Sequence, residues 1–430
     1  MLDRSTPPAA QPLKNVSLPD FHRHTLSNGI PVYIMPFGTL EIVEIQVVFK
    51  AGQSYQPKTG IASFTARNMP EGTKSYSSLS LAQTLDAYGA WLNHESDDEG
   101  VSFSLATLSR HLGNTLPLLH EVITAPLFLA EEFDKMKERT LQQMQVNAQK
   151  TSNIARRYFD ELLFGKDHPY GMYFGEEALK EITLPELIQY HHNYLYPGNF
   201  SIIASGRFDE KNVLNQLEEN FGGLILRPAL SEISRAARKA PDAPVGRQFF
   251  EKKGMQATLR MGYRTVPFSH PDYYPMQVVN TILGGYFGSR LMKNIREEKG
   301  YTYGIYSGWV GNKYDGYFVV QSDVGNQYIT PTIQEVKAEM RKLSEEGVTE
   351  DELQLVSNYL LGKSIGQRET PFQMGDLVRY SIINDIPFKE LDRKFEVIQN
   401  ITTNEIQELA NKYLKPDHML EVVVGEMPAE

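Results

Sequence analysis

Ten histidines and no cysteine decide where metal chemistry could sit in this chain of 430 residues. Without thiolates, a metal site would have to be built from imidazoles and carboxylates, and there is neither a disulfide framework nor a cysteine nucleophile. Histidines are dense in three places: His22 with His24, His191 with His192, and His94 beside Glu95, Asp97, Asp98 and Glu99. Neighbouring residues on a helix point about 100° apart, so His191 and His192 do not readily face one ion. The acidic run could draw a hard cation, but it lacks the glycine and terminal glutamate of an EF-hand loop and reads as a solvated connection between strands. Ser63 has no G-x-S-x-G turn around it and reads as a helix-surface serine. The stretch Gly284-Gly285-Tyr286-Phe287-Gly288-Ser289 would let backbone N–H groups approach an anion, yet no Lys-Ser/Thr pair follows and the spacing is wrong for a dinucleotide turn. Taken alone, Arg296 among Glu297, Glu298 and Lys299 reads as a solvated helix end, and Tyr303 as a strand residue packed on a core.

The elements that would position these residues repeat. Ile182-Thr183, Glu186, Tyr194-Leu195, Pro197 and Gly206 recur without gaps as Ile401-Thr402, Glu405, Tyr413-Leu414, Pro416 and Gly425, a shift of 219 residues (182 to 401). Each copy predicts a helix opened by a threonine, stopped at a proline and followed by an apolar strand, 201–205 and 421–424. A second pair of blocks, 128–133 and 348–353, opens a long helical stretch in each half at a shift of 220 (128 to 348). Alternation predicts strands through Val43, Ile45, Val47 and Phe49, through Val101, Phe103 and Leu105, through Met255, Ala257, Leu259 and Met261, and through Tyr317 and Val319. Leu81, Leu85 and Tyr88 fall at helical spacing. The expected fold is α+β: two internally duplicated domains, each a mostly antiparallel sheet with helices packed on one face. An N-terminal arm (1–20), a first domain (21–229), a linker rich in Arg, Ala and Pro (230–245) and a second domain (246–430) follow from composition and repeat.

Bulk properties exclude several classes. Hydrophobic residues at 41% and charged residues at 22% are those of a globular protein. A formal charge of -10, from 43 basic and 53 acidic residues, argues against nucleic acid or an anionic membrane as the main partner. No apolar run is long enough to span a bilayer, and residues 1–21 do not read as a secretory signal, so a cytoplasmic location is expected.

Two segments resemble the pitrilysin and insulinase family of zinc peptidases, which includes mitochondrial processing peptidase. One is Gly60-Ile61-Ala62-Ser63-Phe64-Thr65-Ala66-Arg67-Asn68-Met69-Pro70-Glu71-Gly72-Thr73; the other is Gly284-Gly285, Ser289-Arg290-Leu291, Ile295-Arg296-Glu297-Glu298-Lys299-Gly300 and Tyr303. Gly89–Glu99 and the loop Asp167-His168-Pro169-Tyr170-Gly171 belong to the same resemblance. In active members the first segment carries H-x-x-E-H, two zinc ligands one helical turn apart with a glutamate that polarises the metal-bound water. The matching positions here hold Ser63, Ala66 and Arg67, which offer a poor ligand, no base and a cation. The family's further glutamate ligand would fall in the helix matching 137–150, where Gln142, Gln143 and Gln145 stand and no acid occurs from Arg139 to Arg157. No metal is therefore expected in this chain.

The second segment is intact. The resemblance implies that Arg296 and Tyr303, seven residues apart, contact the substrate carbonyl and the oxyanion of the tetrahedral intermediate, and that Gly284, Gly285 and Ser289 line the substrate wall. It also implies a partner: a homologous zinc-binding subunit that supplies metal, water and base while this chain supplies the Arg/Tyr pair and half of a peptidase chamber around an unfolded peptide. The rival reading is a proteolytically inactive peptide-binding or scaffolding protein, and a homodimer is a further possibility for assembly.

Overall fold

The computed structural model describes residues 21–228 and 234–426. The expected N-terminal arm and residues 230–233 of the expected linker lie outside the described residues.

Each half of the chain builds one sheet. The first contains β1 (His22–Thr25), β2 (Pro31–Met35), β3 (Ile42–Phe49), β4 (Trp91–Ser96), β5 (Val101–Leu108) and β6 (Phe200–Gly206), in the spatial order β1-β2-β6-β3-β5-β4. The second contains β7 (Gly246–Glu251), β8 (Gln256–Thr265), β9 (Thr302–Gly311), β10 (Gly316–Gly325) and β11 (Leu420–Gly425), ordered β7-β11-β8-β10-β9. Apart from the extra β1 the two orders are the same, down to the single parallel pair in each, β2 with β6 and β7 with β11. The duplication read from the sequence is thus a duplication of topology. The repeated threonines open the helices Leu184–Tyr194 and Thr403–Tyr413. In both copies the glutamate three residues on accepts the threonine backbone N–H at 2.8 Å, as a capping box requires.

Strand burial goes beyond simple alternation. Val43, Ile45, Val47 and Phe49 face the first core, but Val48 on the opposite face is also buried. What covers it is the helix Pro371–Asn384 from the other half, whose Met374, Val378 and Ile383 pack on Met35, Val48 and Ile203. Reciprocally, the helix Thr151–Phe164 lays Ala155, Phe159, Leu163 and Phe164 over Val319, Leu420, Val422 and Val424 of the second sheet. Each sheet therefore has its own helices on one face and one borrowed helix on the other. Burying a large apolar side chain contributes roughly 1.5–3 kcal/mol, so these exchanged helices join the halves far more strongly than the part-exposed ion pairs of Asp385 with Lys50 and Lys313.

Three local expectations change. Met255 lies just ahead of β8 and is 92% exposed, while Ala257, Leu259 and Met261 are buried as their alternation predicts. The run after His94 does connect two strands, β4 and β5, with Glu95 and Asp97 exposed, but it is not solvated throughout. Asp97 folds the turn by accepting the Glu99 and Gly100 N–H groups, and Glu99 is buried against the hydroxyls of Ser54, Ser234 and Tyr170. Within the expected linker Ser234, Ala236 and Ala240 are buried, the two alanines beside the helix Thr151–Phe164, while 237–239 and 241–242 are exposed.

Candidate functional site

The helix Ile61–Asn68 carries the Ser63, Ala66 and Arg67 positions. Its N-cap, Gly60, has φ +91°, and a side chain there would collide with the Phe174 ring, so both backbone and space require glycine. Gln56 satisfies one of the orphan N–H groups at this end, its Oε1 accepting from Ala62 at 3.1 Å. Ile61, Ala62, Phe64, Thr65 and Ala66 are buried, which leaves Ser63 and Arg67, one turn apart, half-buried on the open face.

That face does not fit a zinc ion. The Arg67 guanidinium lies 5.4 Å from the Phe64 ring centre. Burial lowers its pKa while Glu71 opposes that shift, and the group stays charged at any physiological pH. His94 on β4, open to water but crowded by protein, is held below the usual histidine range, first by desolvation and then by the Arg67 charge. A cation thus occupies the position from which a second imidazole would bind metal, and Ala66 supplies no base. Gln142, Gln143 and Gln145 are exposed on the helix Ala130–Asn147 and are neutral amides. Among the described residues, no trio of histidines and carboxylates comes together at this helix. Beside it, an open cavity of about 540 Å³ runs from Met144 and Asn147 past Arg156 and Arg157 to Tyr173 and Phe174.

The glycine-rich segment occupies the equivalent place in the second half. The helix Tyr273–Asn280 continues through a widened π turn, Thr281–Gly285; the chain then turns and enters a second π segment, Met292–Glu298, which contains Arg296. Such turns recur at functional sites because they shift the side chains that follow. Gly284 is pressed against β9, where a Cβ would sit 2.5 Å from Ser307 Oγ and 2.8 Å from its backbone nitrogen. Gly284 and Ser289 are both buried, whereas Gly285 is half-exposed. The segment is anchored by Arg290, which makes a two-pronged bond to Glu352 at 2.9 and 2.7 Å and a third to the Gly347 carbonyl at 2.8 Å. The sequence pattern gave Arg290 no role, because its partners lie some sixty residues away.

Arg296 and Tyr303 end up on the surface of this segment. The Arg296 guanidinium rests over the exposed Phe287 ring, 4.6 Å from its centre, and no carboxylate among the described residues pairs with it. Of its neighbours, Lys299 pairs with Glu335 at 2.8 Å. Tyr303 sits on β9, the edge strand. Ile305, Ser307 and Trp309 face the core, so strict alternation would turn Tyr303 inward with them. It is instead 89% exposed. The reason is a β-bulge: Thr302 pairs with Val324 and Ile305 with Ser322, leaving Tyr303 and Gly304 opposite Asp323 alone. Thr302 Oγ1 fixes the bulge by donating to the Asp323 carbonyl at 2.7 Å and accepting the Gly304 N–H at 3.1 Å, while Ser322 Oγ donates to the Gly304 carbonyl at 2.9 Å. A bulge re-aims one side chain at the expense of local pairing, and here the side chain is the phenol.

The fold is thus a duplicated α+β architecture, with Ser63, Ala66 and Arg67 on a helix of the first half and Arg296 and Tyr303 exposed or half-exposed in the second. Residues 39–168, which include Ser63, Ala66 and Arg67, match the insulinase model of peptidase family M16, and residues 181–360 match the peptidase M16 inactive domain. The chain belongs to the M16 peptidase family. It is similar to the uncharacterized zinc protease YmxG of Bacillus subtilis, 22% identical over 416 residues that cover 95% of this chain and 99% of the relative. An uncharacterized zinc protease of Rickettsia felis is 24% identical over 411 residues, covering 91% and 95%. Among solved structures, the peptidase M16 inactive domain of Pseudomonas fluorescens superposes with a TM-score of 0.86 at 24% identity, over 96% of this chain and 99% of that one. A chain of complex III2 from Candida albicans superposes at 0.78 and 15% identity, over 94% and 95%. At these identities the structural likeness establishes the fold. No helix among the described residues is long and apolar enough to cross a membrane.

Proposed function

We propose that this chain is the partner subunit, with no catalytic zinc of its own, of a heteromeric zinc metallopeptidase. A homologous subunit with an intact H-x-x-E-H helix would supply zinc, nucleophilic water and general base. This chain would supply Arg296, Tyr303 and part of the wall around an unfolded peptide. The observation that carries the reading is the bulge at Tyr303. It overrides the alternation of β9 to hold a phenol in solvent, near in sequence to an arginine with no carboxylate partner among the described residues. Both groups are donors without acceptors of their own among the described residues, which suits an incoming carbonyl whose oxygen gains negative charge in the transition state. The ligand-poor helix fits the same division of labour.

The scaffolding alternative draws on the fold shared with a chain of complex III2, and it predicts peptide binding with no effect of the Arg/Tyr pair on hydrolysis. The test is to mix the purified chain with an H-x-x-E-H homologue and an unfolded peptide substrate. Hydrolysis that needs both chains, and that Arg296→Ala abolishes without preventing complex formation, supports the partner role; hydrolysis by this chain alone overturns it.

A further inference from the structure

Away from the Arg/Tyr segment, three side chains with metal-binding atoms converge at the outer edge of the first sheet. His22 and His24 are two apart on β1, so the pleat turns both imidazoles to one side. Arg23 between them points the other way and lies over the Phe388 ring at 4.5 Å. The third member, Glu210, is the first residue of the helix Glu210–Phe221, positioned by Asp209, whose carboxylate caps the helix by accepting the Asn212 N–H at 2.7 Å. Glu210 Oε2 lies 2.8 Å from His22 Nδ1, and Oε1 lies 2.7 Å from His24 Nε2. All three ligand atoms fall within 4.8 Å of one another, and this is the single such trio among the described residues.

We propose that His22, His24 and Glu210 form a binding site for a divalent transition-metal cation, zinc first, with water completing a tetrahedral shell. Two neutral imidazoles and one carboxylate suit zinc, nickel or cobalt, whereas calcium and magnesium take oxygen shells. Metal–ligand distances of about 2.0–2.2 Å require the three atoms to close on one point. This needs only side-chain rotation, because all three groups are exposed or half-exposed and no backbone need move. Bound metal would fasten β1, a four-residue strand at the end of the sheet, to a helix 186 residues further along the chain. The site is a staple on the chain's outer edge and has no part in the proposed peptide hydrolysis.

The test uses the full chain, stripped of metal and titrated with zinc sulfate by calorimetry, with cobalt as a spectroscopic substitute. One zinc per chain is expected, with a melting temperature that rises with zinc concentration and visible cobalt bands of tetrahedral intensity. Glu210→Gln removes a ligand and should weaken binding by at least the roughly 10–100-fold that losing an outer-shell partner costs, and the double variant His22→Ala with His24→Ala by more. Ser63→Ala should leave zinc binding unchanged. Histidine ring resonances of the unmodified chain provide a check that requires no variant to fold: zinc should perturb those of His22 and His24. No one-to-one binding, binding that survives the double variant, or perturbation confined to other histidines would overturn the proposal. A zinc-loaded chain that cleaves peptide alone would leave this site standing and refute the partner role.

Discussion

Replacing Tyr303 with phenylalanine removes one hydroxyl from a ring that is 89% exposed and whose oxygen bonds nothing among the described residues. Stability should therefore stay within about 0.5 kcal/mol of the parent chain. The proposed catalytic role predicts a large effect elsewhere. A donor aimed at a developing oxyanion is worth about 10²–10³ in rate, or roughly 2.7–4 kcal/mol of transition-state stabilisation. With Arg296 still in place, kcat of the two-chain enzyme should fall by about 10² while KM changes little, since the bond strengthens only as charge develops. Thr302→Val provides the complement. It keeps the phenol but removes the hydroxyl that bonds the Asp323 carbonyl and the Gly304 N–H, so it should cost about 1–2 kcal/mol of stability and also lower kcat by freeing Tyr303. Steady-state hydrolysis of a fluorogenic peptide by the reconstituted pair, with melting curves of each variant alone, separates the two effects. An unchanged kcat for Tyr303→Phe, or a loss confined to the affinity between the chains, would refute the reasoning.

Three further outcomes follow from the geometry. Removing the Arg67 charge with Arg67→Ala should raise the pKa of His94 part of the way toward its ordinary value, leaving the depression due to burial; proton resonances of His94 against pH would read this, and an unmoved titration would place Arg67 away from it. Asp98 is pushed up to about 7 by burial and by Asp97, Glu99 and Asp160. At this site the native state then binds more protons than the unfolded one between about pH 4 and 7, so the contribution of Asp98 to stability is greatest below that window and is lost as pH rises through it. Asp98→Asn should thus be more stable than the parent chain in urea at pH 8 and lose that advantage as the pH falls toward 4. Arg290→Ala leaves Glu352 and the Gly347 carbonyl unpaired in a half-buried setting and should destabilise by about 2–3 kcal/mol; a loss under about 0.5 kcal/mol would mean the anchor is dispensable.

The repeat was legible because its marks are local. A capping threonine, a glutamate three residues on and a following apolar strand act over about twenty residues, and both copies keep them at one spacing. The helix that carries Ser63, Ala66 and Arg67 was legible for the same reason, its buried and open faces following from residue types at helical spacing. What the sequence hid depends on distant chain. Val48 and Ile203 are buried by a helix some 170 residues and more away, so no local pattern announces that the sheets exchange helices. Taken alone, Tyr303 reads as a strand residue packed on a core, and only pairing with β10 creates the bulge that turns it out. Gly284 read as wall lining, but its lack of a side chain answers to Ser307 behind it. His22 and His24 were visible as a pair, whereas Glu210 joins them only through the fold.

The split of one active site between two chains is tested most directly by titration. A fixed amount of an H-x-x-E-H subunit, saturated with zinc, is mixed with increasing amounts of this chain, and peptide hydrolysis is followed. The account predicts activity that rises to a plateau at one chain per zinc subunit. Arg296→Ala should reach its plateau at the same ratio but about 10²-fold lower. Activity of the zinc subunit that does not respond to this chain, or an Arg296→Ala plateau equal to that of the parent, would contradict it.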